Sequence, residues 1–130
     1  MDRQRIASHA FLAGVPEEEL DAVASAASER VFAAGETLIS EGDFGHCLFL
    51  IEEGAAEVSV DGASVGRIGP GEVVGEVAVL ASGRRTASVV ATSPIRAISI
   101  FKRDVWGLER TAPEAARRLR AAIKEHAGSA

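Results

Sequence analysis

The run Gly69-Pro70-Gly71-Glu72-Val73-Val74-Gly75-Glu76-Val77-Ala78-Val79-Leu80, followed closely by Gly83-Arg84-Arg85-Thr86-Ala87-Ser88-Val89, is the most informative part of this 130-residue chain. Glycine lacks a Cβ, so its backbone can approach a ligand closely. The residues after Gly75 can form one turn of helix, and a helix start presents unpaired amides to an anion. Arg85 adds a fixed positive charge on a planar donor fork, which matches the oxygens of a phosphate. The chemistry is that of holding a phosphate-bearing ligand.

On either side of this run, short apolar segments alternate with glycine-marked turns. Val31-Phe32 and residues 37–40, 47–52, 56–60, 64–68, 86–91 and 95–100 read as strands. In Glu57-Val58-Ser59-Val60-Asp61 polar and apolar residues alternate as a half-buried strand requires, and Asp61-Gly62 is a hairpin signal. Many short strands at regular spacing imply a barrel or double-sheet jelly roll. The β core is expected over residues 30–101.

Helices are expected on both flanks. Pro16 followed by Glu17, Glu18 and Glu19 suits a helix start, because acidic side chains complement its partial positive charge. Leu20, Val23, Ala24 and Ala27 then recur at helical spacing, which predicts a helix over 16–28. Thr111-Ala112-Pro113-Glu114 has the form of a capping box, with the Thr111 hydroxyl and the Glu114 carboxylate meeting free amides. C-terminal helices are expected over 102–126, the last with an apolar stripe of Ala116, Leu119, Ala122 and Ile123 opposite Arg117, Arg120 and Lys124. Residues 1–130 read as one domain, with disorder expected only at the ends.

Composition narrows the function classes. Apolar residues are 47% and charged residues 25%, so the chain can bury a core. The net charge is −5 and the basic residues are scattered, which gives no footprint for DNA or RNA. Cys47 is the only cysteine, so no internal disulfide framework exists, and a buried, inert thiol in a reducing compartment is expected. Residues 1–10 lack a signal-peptide apolar region, and no stretch approaches the roughly 18 apolar residues of a membrane span. The expectation is a cytoplasmic chain with no membrane contact of its own. Arginine outnumbers lysine twelve to two and alanine is abundant, a composition expected of a bacterial source.

Gly75-Glu76-Val77-Ala78-Val79-Leu80 and Arg85-Thr86-Ala87 resemble the phosphate-binding cassette of the cyclic-nucleotide-binding domain family. Upstream, Phe32-x-x-Gly35-Glu36, Glu41-Gly42-Asp43-x-Gly45 and Leu48-Phe49-x-Ile51-x-x-Gly54 resemble that family's turns, so the resemblance spans roughly residues 11–126. It implies a jelly-roll barrel with a short phosphate-binding helix, an N-terminal helix and a C-terminal lid helix.

It also implies that Arg85 pairs with the cyclic phosphate and Glu76 accepts from the ribose 2′-hydroxyl. Amides of Ala78 and Thr86 would complete the cradle, Gly75 would let the backbone reach the sugar, and Val77 and Ala87 lie within the same motif. Val74 and Val58 are expected to flank the base, and Leu119 and Ile123 to serve as lid residues. Two positions depart from the family pattern: Val74 replaces the usual aromatic, and Arg84 stands where many members have proline.

The implied function is that of a regulatory sensor domain. It would take cAMP in preference to cGMP and carry no catalytic residue, metal or cofactor. The regulated effector is not written in the sequence. Thr86 either caps local backbone or reaches the base. His9, His46 and His126 are too dispersed for metal-ligand spacing and are expected in surface or turn roles. A metal-dependent jelly-roll enzyme would need clustered histidines, and the β region holds only His46. The alternative is a scaffold of the same fold that mediates protein contacts without nucleotide. A DNA-binding role would need a helix-turn-helix after the module, and none is expected in a chain ending at Ala130.

Overall fold

The computed structural model describes residues 1–40, 47–74 and 88–126; for Lys102 and residues 122–126 it describes the backbone alone. Eight strands are described: β1 (Ala27–Phe32), β2 (Thr37–Ile39), β3 (Cys47–Glu53), β4 (Ala56–Val60), β5 (Ala63–Ile68), β6 (Val73–Val74), β7 (Ser88–Ala91) and β8 (Ile95–Phe101). They form two antiparallel sheets, with orders β1-β8-β3-β6 and β2-β7-β4-β5. The fold is mainly β, as the sequence implies. Among the described residues it is a pair of sheets rather than a closed barrel.

The first sheet is covered on both faces. Leu48 and Leu50 of β3, with Ile98 and Ile100 of β8, belong to a core shared with the helices. The alternate residues Phe49, Ile51, Ile95 and Ala97 belong to a second core between the sheets. This accounts for the unbroken apolar run Leu48-Phe49-Leu50-Ile51, because a strand buried on both sides needs no polar face. In β4, by contrast, Ala56 is buried and Glu57 is exposed, as expected with one face in water.

The helices pack on the outer face of the first sheet. They are α1 (Arg3–Ser8), a 3-10 turn at Ala10–Leu12, α2 (Glu17–Ala26), α3 (Lys102–Gly107) and α4 (Pro113–His126). The amino-terminal residues are ordered into α1 and the 3-10 turn, against the expectation of a disordered end. Ile6 and Leu12 anchor them, each at most 1% exposed. Burying side chains of this size is worth about 1.5–3 kcal/mol each. α2 stops at Ala26 because Ala27 is already paired with Ile100, so strand pairing overrides the helical spacing that continues to Ala27.

The start of α4 corrects the capping-box expectation. The Ala112 carbonyl accepts from the Ala116 amide, which puts Pro113 at the first helical position, where its missing donor costs nothing. The amides of Glu114 and Ala115 are met by Glu19 of α2, at 3.2 and 2.9 Å. Thr111 is exposed, and Glu114 turns to Arg117 and Arg118. A buried carboxylate from another helix takes the place of the local cap because it both satisfies the amides and complements the helix dipole.

Candidate functional site

The two ends of the sandwich differ in how their strands are joined. At one end four short connections, 33–36, 54–55, 69–72 and 92–94, pass between the sheets. They bond to one another and to strand ends: Gly35 N to Ala91 O, Thr92 N to Ala55 O, and Gly71 N to Ile51 O. Ala33-Ala34-Gly35-Glu36 and Gly69-Pro70-Gly71-Glu72 share one plan. The third residue has φ near 90°, the fourth amide returns to the first carbonyl, and the glutamate carboxylate accepts from the first amide. Glycine third, with proline second in the latter, is the signature of a type II turn.

At the opposite end lie the strand termini from which residues 41–46 and 75–87 depart. β3 begins there at Cys47, β6 ends at Val74 beside Phe49, and β7 begins at Ser88 beside Ser59 of β4. Between the sheets at this end, Phe49, Val74, Ile39 and Val89 are buried, and Val58 and Cys47 are half-buried. Phe32 and Phe49 meet edge to face at 5.7 Å, and the Arg30 guanidinium lies 5.1 and 5.6 Å from their ring centres. Phe49, Val74, Ile39, Val89, Val58 and Cys47 make an apolar floor at this end, whereas Phe32, paired with Ile95, stands at the other.

Of the residues singled out from the sequence, Val74 and Val58 both lie on this inner face, in the second core. Gly75, Glu76, Val77, Ala78, Arg85, Thr86 and Ala87 lie outside the described residues, as do Arg84, His46 and His126's side chain. Leu119 corrects its expected role as a lid residue: it is fully buried in the core beneath α4. Ile123's side chain is outside the described residues. Cys47 is half-buried rather than buried.

Of its two expected roles His9 takes the turn, as the cap of Ala10–Leu12, and is buried rather than at the surface. Its ring is 5% exposed, with Nε2 2.9 Å from Ile51 O and Nδ1 accepting from Phe11 N at 3.1 Å. Burial pushes its pKa below the ordinary histidine value, opposed by the Ile51 carbonyl and by Glu52. Neither His9 nor Glu19 was legible as an anchor, because each acts on residues distant in sequence. Among the described residues no group of three or more metal-ligating side chains is present.

Residues 29–111 match the family described as "Cyclic nucleotide-binding domain". The chain belongs to the cyclic nucleotide-binding domain family. It is 40% identical over 104 residues to a cAMP-dependent protein kinase regulatory subunit of Yarrowia lipolytica, covering 79% of this chain and 26% of that protein. A cGMP-dependent protein kinase of Caenorhabditis elegans is 32% identical over 111 residues, 85% of this chain and 13% of that protein. The chain therefore spans about a quarter or less of the length of these two relatives. In fold, the crystal structure of a putative cyclic nucleotide-binding protein from Geobacter metallireducens superposes with a TM-score of 0.81 at 22% identity, covering 96% of this chain and 94% of that one.

The stretch that carries the cassette motif follows Val74 and ends before Ser88, two strand termini at the same end of the sandwich. Among the described residues no helix is long and apolar enough to cross a membrane.

Proposed function

We propose that residues 1–130 act as one sensor domain that binds cAMP in preference to cGMP, catalyses no reaction and needs no cofactor. The observation that carries this reading is the departure of the Gly75-Glu76 and Arg85-Thr86-Ala87 motifs from Val74 and their return at Ser88. Both strand ends border the same apolar floor. Arg85 then takes the cyclic phosphate, Glu76 the ribose 2′-hydroxyl, the amides of Ala78 and Thr86 the remaining phosphate oxygens, and Gly75, Val77 and Ala87 shape the cradle. Val74 and Val58 offer the base an apolar surface, which suits adenine without a dedicated polar partner.

Ligand binding would reposition α4. A ligand shifts two conformations only by as much as it binds one better. Leu119 is committed to the core, which leaves Ile123 of the two expected lid residues to contact the base. Relatives of the chain include proteins named for each nucleotide, so the preference is an experimental matter. Calorimetric titration of the chain with cAMP and cGMP tests it directly: tighter binding of cAMP is expected, and equal or reversed affinities would overturn the preference. Arg85→Ala should lose most affinity, about 2–5 kcal/mol for removing one partner of a desolvated charge pair, with the fold unchanged. Binding retained in that variant would overturn the site; binding of neither nucleotide by the parent chain would favour the contact-only scaffold.

A further inference from the structure

His9 joins three pieces of the molecule that are far apart in sequence. It precedes the 3-10 turn at Ala10–Leu12, and its Nδ1 accepts from the Phe11 amide at 3.1 Å. Its Nε2 lies 2.9 Å from the carbonyl of Ile51 in β3. The same carbonyl accepts from Gly71 at 2.9 Å. Gly71 in turn sits so close to the 3-10 turn that a Cβ on it would stand 3.3 Å from the Ala10 Cβ. Two residues beyond Gly71 the chain enters β6, which ends at Val74, where the cassette motif begins.

This geometry fixes the protonation state of the ring. An amide hydrogen pointing at Nδ1 requires a lone pair there, and a carbonyl facing Nε2 requires a hydrogen there. Only the neutral ring with hydrogen on Nε2 meets both. A second proton on Nδ1 would face the Phe11 N–H, and a buried cation would replace a buried neutral ring.

We propose that His9 is a positioning residue whose neutral ring pins the 3-10 turn to β3 and the Gly69–Glu72 turn, so that its protonation loosens that turn and β6, after which the cassette motif begins, and weakens nucleotide binding. The inference rests on the nucleotide-binding reading above. Among the described residues the charged groups around the ring are few. Glu52 of β3 favours the protonated form, yet it is held by Arg5 of α1, which also pairs with Glu29 of β1, and it lies 4.0 Å from Arg96 of β8. Glu72 is turned to its own turn, accepting from Gly69 N. Burial outweighs Glu52 and lowers the His9 pKa.

The sign follows from that lowering. The released ring binds a proton more readily than the pinned ring. Pinning is therefore at full strength above the ordinary histidine pKa of about 6.5 and is lost as pH falls through the lower value of the pinned state. The cyclic phosphodiester keeps its single charge throughout, so the nucleotide itself contributes no titration.

The test combines nitrogen-15 NMR of the His9 ring in the ligand-free chain with calorimetric titration of cAMP between about pH 7.5 and about pH 5.5, for the parent, His9→Asn and His9→Gln. The ring should show the neutral Nε2–H form at the upper pH and lose its Phe11 contact on titration. Parent affinity should fall by about threefold or more over the range, since apparent affinity scales with the competent fraction. Asn keeps an acceptor for the Phe11 amide and Gln keeps the reach to Ile51, and neither titrates; both should give flat profiles. The pin is overturned if the ring stays neutral and bonded at the lower pH, or if either variant is as pH-dependent as the parent. If no nucleotide binds at any pH, the nucleotide-binding reading fails, and the ring titration alone decides for or against the pin.

Discussion

At the closed end of the sandwich, Gly35, Gly54 and Gly71 all adopt φ near 90°, the connections bond to one another, and Phe32, Ile51, Ala56, Ala91 and Ile95 are each at most 3% exposed. At the opposite, open end the β2–β3 and β6–β7 connections are long while β4 and β5 turn tightly at Asp61-Gly62, and Val58 and Cys47 on the inner face are only half-buried. One end has its backbone groups met within short turns; the other holds the strand termini that flank the cassette motif. The difference teaches that stability and recognition are divided along the strands: substitutions at the closed end and in the helix-side core should be felt as stability, those at the open end as affinity.

The largest effect should come from Leu50→Ala, which empties a fully buried position between β3 and the helices. Chemical denaturation should show a loss of about 2–5 kcal/mol, with the nucleotide affinity of the folded fraction unchanged. Val58→Ala should do the opposite, costing only about 1 kcal/mol of stability for a half-buried valine while measurably weakening the nucleotide. Equal effects of the two substitutions on affinity would remove the division between the ends.

Next in size is a contrast within the closed end itself. A Cβ at Gly54 would run into Pro94 O and lie 2.9 Å from the Ile95 Cα, on top of a positive φ, whereas at Gly35 nothing lies within 4 Å. Gly54→Ala should therefore cost clearly more than Gly35→Ala, which carries only the backbone term of about 1–2 kcal/mol. Thermal melts of the two variants compare them directly; similar losses would mean that the backbone around Pro94 yields.

Smallest is Glu19→Gln, which keeps the shape of the buried α4 cap but removes its charge and sets an NH2 group toward one of two amides. The expected loss is about 1–2 kcal/mol, with faster hydrogen exchange at Ala115. Unchanged exchange there would mean that α4 is held by the packing of Ala116 and Leu119 alone.

The sequence by itself determined the mainly-β fold, most strand positions, the Asp61-Gly62 turn and the family, because these follow from local alternation, glycine spacing and contiguous motifs. Asp61 and Gly62 do have φ of 53° and 82°, as a tight hairpin of this type demands. Glu76 and Arg85 belong to such a contiguous motif, and the roles proposed for them rest on it. What only the tertiary structure decided are the partnerships across the chain. Thr111 and Glu114 satisfy every local rule for a cap, yet Glu19, about a hundred positions away, fills it. The family resemblance made Leu119 a lid residue, and it is buried in the helix-side core instead. His9, expected in a surface or turn role, caps the 3-10 turn but is buried and reaches across to Ile51 of β3. In each case a buried amide, carbonyl or apolar face has to be met by whichever group the packing brings to it, and periodicity along one segment does not contain that information.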